Sequence, residues 1–105
     1  MEVVDKDRFN MITGGDEAAK KEIFMLFEQT VVKNAELMGN MADKEGEWHS
    51  YVHEIKGAAD NIGFRKLGGI CKQAEESKNY SEEEKKSVLQ DIKNSLDEIR
   101  SELGY

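Results

Sequence analysis

The chain has 105 residues, 38% of them hydrophobic and 35% charged, the length of one domain able to bury roughly 65% of the surface its unfolded form exposes. Its formal net charge of −7 is repelled by phosphate backbones and anionic lipid, which argues against nucleic acid and membrane surfaces as partners. The one cysteine, Cys71, leaves no disulfide framework and no cysteine-built zinc site. It suits a reducing compartment.

The acidic N-terminal stretch "MEVVDKDRF" carries no signal-peptide pattern, and no apolar run nears the ~18 residues of a membrane span. A cytoplasmic location is therefore expected. Val3 to Ile12 are expected to form a short helix or an extended lid. Gly14 and Gly15 break the pattern there, and Asp16 is placed to cap a long helix over about 15–40. Its apolar positions recur at three and four: Ile23, Phe27, Thr30, Asn34, Leu37 and Met41. Met25 and Val32 fall off that stripe, one heptad apart, and are candidates for a partner-docking patch.

The second long helix is expected over about 45–62 and the third over 64–78, with Phe64, Leu67, Ile70 and Ala74 on one side. Cys71 is a small core residue there. The fourth, over 82–103, opens on a capping box of Ser81 and Glu84. Its stripe is Leu89, Ile92, Leu96, Ile99 and Leu103, a spacing that needs bundle partners. No stretch alternates with period two, so strands are not expected. Long amphipathic helices joined by short connections predict an all-α fold, an antiparallel up-down four-helix bundle with a short N-terminal helix or lid.

The second helix holds the segment "HEIKGAADNIGF". At 100° per residue, Trp48, Tyr51, Ile55, Ala58, Ala59 and Ile62 gather on a core face, and His49, His53, Lys56, Gly57 and Asp60 on the opposite one. Glycine within a helix costs about 1 kcal/mol relative to alanine. On a solvent-facing side it gains nothing from packing. At i+4 from His53 it leaves the imidazole open to another macromolecule, and Lys56 at i+3 sets an ammonium beside any anion on that ring. Imidazole is largely neutral, and nucleophilic, at neutral pH.

The stretch "HEIKGAADNIGFRKLGGICKQAEE" resembles the signature of histidine-containing phosphotransfer (HPt) domains of multistep two-component phosphorelays. His53, Lys56, Gly57, Ala58, Ala59, Gly63 and Leu67 match the family pattern. Asp60 departs from it, since the family often carries a small residue there. Its carboxylate either pairs with Lys56 or repels a phosphate. The resemblance implies a single HPt domain over 1–105, a four-helix bundle whose His53 accepts a phosphoryl group from a receiver-domain aspartate and passes it to another receiver. It implies no cofactor of the domain's own, Mg²⁺ on the partner receiver, and receiver domains and a hybrid sensor histidine kinase as partners of a monomer. Lys56 would stabilise the phosphoryl group, Gly57 would admit the partner, and His49, Asp60, Met25 and Val32 would belong to the docking surface.

No nucleotide-binding glycine loop of the P-loop type is present, so autonomous kinase activity is not expected. His49 and His53 stand at i, i+4, a metal-ligand spacing, but no third ligand accompanies them and no metal site is expected. The alternative function is a helical adaptor that binds a receiver, or another signalling protein, without carrying phosphate. The initial Met and short length point to a free-standing protein.

Overall fold

The computed structural model describes residues 2–40, 45–77 and 80–105. Five helices follow one another: α1 (Lys6–Thr13), α2 (Glu17–Asn40), α3 (Glu45–Ile62), α4 (Arg65–Glu76) and α5 (Glu82–Leu103). No strand occurs among the described residues. α2, α3, α4 and α5 close a ring in which each packs on its chain neighbours and α5 returns to α2. The pairings run antiparallel. Asp60 on α3 lies by Gly68 on α4, Lys66 on α4 pairs with Glu98 on α5, and Arg100 on α5 meets Glu28 on α2.

The helix ends follow local chemistry. The Asp16 carboxylate accepts from the Ala19 amide at 2.9 Å and starts α2. The Ser81–Glu84 capping box is formed from both sides, with the Glu84 amide donating to Ser81 Oγ at 3.1 Å and the Ser81 amide to Glu84 Oε1 at 3.2 Å. Gly63 ends α3 at φ 97°, where a Cβ would also press on Arg8 and the Asp5 carbonyl.

The N-terminal element is both helix and strap. Residues 2–5 cross the α3–α4 turn, where the Asp5 amide donates to the Gly63 carbonyl at 2.7 Å and the Lys66 amide to the Glu2 carbonyl at 3.0 Å. α1 then buries Phe9 against Phe64, ring centroids 5.6 Å apart. Phe64 also meets Phe27 edge-on at 4.9 Å, so α1, α2 and the α3–α4 turn share one aromatic knot.

The core corrects three expected stripes by a fraction of a turn. On α2 the buried line is Phe24, Phe27, Val31, Ala35 and Met38. Ile23, Thr30 and Leu37 sit half-buried at its edge, and Met41 lies outside the described residues. α2 is wedged between α3 and α5, so its apolar face centres between two neighbours. Asn34 is buried and satisfied, its Nδ2 donating to the Thr30 carbonyl at 2.8 Å.

On α3 the deepest residues are Trp48, Val52, Ile55 and Ala59. Val52 joins the core, while Tyr51, Ala58 and Ile62 are half-buried. On α4 Cys71 replaces Ile70 at the centre. Burial pushes its thiol pKa up to about 12, with the Glu75 and Asp60 charges adding to the effect. That makes it a packing residue, not a nucleophile. On α5 Ile92, Leu96 and Ile99 are buried, and Leu89 and Leu103 are half-buried.

Candidate functional site

The chemistry-bearing residues of α3 stand on its α4-facing edge and its outer surface. His53 has a side chain 73% exposed, and its Nδ1 is in hydrogen-bonding contact with Glu75 Oε1 on α4. An ionised carboxylate only accepts, so this contact keeps the proton on Nδ1 and leaves the Nε2 lone pair unprotonated in the neutral ring. One helical turn on, a Cβ built at Gly57 meets no atom within 4 Å. Among the described residues no neighbour requires glycine at that position.

Lys56 is half-buried, not fully solvated as its place on the outer face suggested, because α4 covers this flank. Its Nζ lies 3.6 Å from Asp60 Oδ2. Of the two roles open to Asp60, pairing with Lys56 is the one realised in this geometry. The same Asp60 carboxylate reaches α4 at Gly68, where a Cβ would run into it. Gly68, not Gly57, is the glycine whose missing side chain is replaced by a group of the neighbouring helix.

His49 is half-buried, with Nε2 2.9 Å from the Ser77 carbonyl. A carbonyl only accepts, so Nε2 is the protonated nitrogen of that contact. The ring also stands edge-on to Trp48, centroids 5.2 Å apart. It braces the start of α3 against the end of α4, and the two histidines turn to different partners. Among the described residues no group of three or more His, Cys, Asp or Glu stands close enough to hold a metal ion.

Met25 and Val32 are both exposed. Val32 lines a groove between α2 and α5 with Lys93 and Leu96, and Met25 lies beside Leu26 and Gln29 on α2 itself. The structure brings His53, Lys56, Gly57 and Asp60 together along α3, while Val32 turns to the α2–α5 groove. Glu75 escaped the sequence reading. The only local hint is its place next to buried Ala74 and four residues after buried Cys71, an acid at the rim of an apolar stripe.

A family model for the Hpt domain matches residues 22–102. The chain belongs to the Hpt domain family. Its matched span takes in α3, α4, most of α2 and all of α5 but its last residue. Comparison with curated proteins and with solved structures gives no match. Hpt domains are helical bundles that carry phosphoryl groups on histidine in two-component phosphorelays, and this Hpt domain has the all-helical architecture expected of one. No helix among the described residues is long and apolar enough to cross a membrane.

Proposed function

We propose that this Hpt domain is a phosphorelay intermediate in which His53 takes a phosphoryl group from the aspartyl phosphate of one receiver domain and hands it to the aspartate of another. The observation that carries the reading is the pairing of an exposed imidazole with a carboxylate at Nδ1, over a helix surface left bare at Gly57. Nε2 attacks phosphorus, the N–P bond forms and the P–O bond to the aspartate breaks. The electron pair leaves with the carboxylate oxygen, and the proton stays on Nδ1.

The ring gains positive charge as the bond forms, and Glu75 stabilises it. Lys56 is placed one turn from His53 to neutralise the phosphoryl oxygens once it swings from Asp60. Such transfer depends chiefly on alignment and charge neutralisation. The Mg²⁺ that receiver chemistry needs belongs to the partner, and a hybrid sensor histidine kinase stands upstream. The receiver docks across the outer surface of α3 and α4, with Gly57 and Asp60 in its footprint. His49 supports that surface from beneath.

Mixing the protein with a panel of phosphorylated receivers tests the reading. The parent should acquire acid-labile, base-stable phosphate, and His53→Gln should acquire none. Label persisting on a folded His53→Gln would reject His53 as the acceptor. A receiver that binds the parent and His53→Gln equally well, with no label on either, would favour the adaptor function instead.

A further inference from the structure

Beyond the histidine, a cavity of about 510 Å³ opens where α1, α3 and α4 converge. Four cations from those elements line it: Arg8, Lys56, Arg65 and Lys72. Two carboxylates face them, Asp5 and Asp60, and both are already engaged. Asp5 Oδ2 accepts from Arg65 Nε at 3.1 Å and from Arg65 Nη2 at 2.9 Å, and Asp60 is the ion-pair partner of Lys56. Arg8 gives its Nε to the Asn61 carbonyl at 3.1 Å and has no carboxylate partner among the described residues. Lys72 makes no ion pair there either.

The lining thus holds two positive charges in excess, on a chain whose net charge is −7. Unpaired cations held side by side favour an anion placed between them. Gly63, Gly68 and Gly69 line the cavity without side chains, so a ligand can come close to the backbone. The volume exceeds what one carboxylate fills and falls within the ordinary range of small-ligand sites. Among the described residues no aromatic or large apolar side chain lines the cavity, so none of them can stack on a base or enclose a hydrocarbon there.

We propose that this cavity binds a multiply charged phosphate anion, of the inorganic phosphate or diphosphate class, through Arg8 and Lys72, the two lining cations without a carboxylate partner among the described residues. The ligand is read by charge alone, so a nucleoside diphosphate should bind no more tightly than its diphosphate moiety. The site is independent of whether His53 carries phosphate.

Amide NMR shifts of the whole protein test it, with sodium phosphate and sodium pyrophosphate as probes at low and moderate salt. Saturable shifts should appear at the Gly63, Gly68 and Gly69 amides, tighter for pyrophosphate and weaker as salt rises. Lys72→Gln should weaken binding by about fivefold, and Lys93→Gln on α5 should leave it unchanged. Arg8→Gln should weaken it similarly. Should that variant disturb α1, Lys72→Gln, whose side chain is exposed, decides alone. Shifts that never saturate or scatter over the surface, or equal affinity in Lys72→Gln and Lys93→Gln, would overturn the site. ADP binding tenfold tighter than pyrophosphate would overturn the claim that charge alone is read.

Discussion

The α3–α4 face and the α2–α5 face are both seams between antiparallel neighbours, yet they are built for different ends. At α3–α4 the Asp60 carboxylate fills the space that Gly68 leaves, and a line of ionisable groups runs along the seam: His53 with Glu75, then Lys56 with Asp60. At α2–α5 the groove is lined by Val31, Val32, Ala35 and Leu96 with Glu36 and Lys93, and Glu28 meets Arg100 across the seam. A largely aliphatic groove holds no reactive group in place. A row of paired charges over a tight seam holds an imidazole in one orientation and still offers it to solvent. The difference lies in which side chains point outward at the seam, since both seams rest on the same apolar core.

The contrast breaks hardest at the two glycines. Gly68→Leu should wedge α3 from α4 against Asp60 and Ala59 and cost about 1–3 kcal/mol of stability. Gly57→Leu, on open surface, should fold with near-parental stability while lowering transfer to His53. Thermal melts and transfer rates on both variants check this, and equal stability losses would erase the distinction between a packing glycine and an access glycine.

Next in size is the acid at Nδ1. Glu75→Ala should slow transfer by about tenfold, the scale of one hydrogen bond to a charged group. Glu75→Gln, whose amide oxygen still accepts from Nδ1, should fall between. The order of the three rates separates an orienting hydrogen bond from mere packing. Loss of the ordering would show that the imidazole needs no partner on α4.

A smaller effect is expected from the strap over the α3–α4 turn. The Arg8 amide, aided by Arg65, holds the Asp5 carboxyl below its ordinary value of 3.8, against the opposing effect of burial. A carboxyl whose folded pKa is depressed adds stability that is present above its unfolded pKa and lost as pH falls through the folded one. Acid unfolding of the parent should therefore draw on Asp5 below about pH 4. Asp5→Asn should flatten the melting temperature against pH in that window, and an unchanged slope would remove Asp5 from the account.

The smallest effect should come from the exposed apolar residues of α2. Met25→Ser combined with Val32→Ser should leave transfer rates as they are, because Val32 lines the α2–α5 groove and Met25 lies among α2 residues alone. A clear fall would carry the receiver's footprint round onto α2.

Much of this site is local, and so it was legible in the residues alone. His53, Lys56 and Gly57 sit at i, i+3 and i+4 of one helix, and the helical period alone makes them neighbours. The same period determined four long helices, the α5 capping box and an all-α bundle, because each depends on contacts within a turn or two of chain. Tertiary structure decided the rest. Glu75 reaches His53 from 22 residues away, and Asp60 settles against Gly68 only because α4 crosses α3 where it does. The rotation of α2, which exchanges Ile23 and Leu37 for Phe24, Val31 and Met38 in the core, follows from having a helix on either side. Periodicity sets which residues share a face. How far that face turns, and which distant side chain comes to rest against it, depends on the packing of one helix on another.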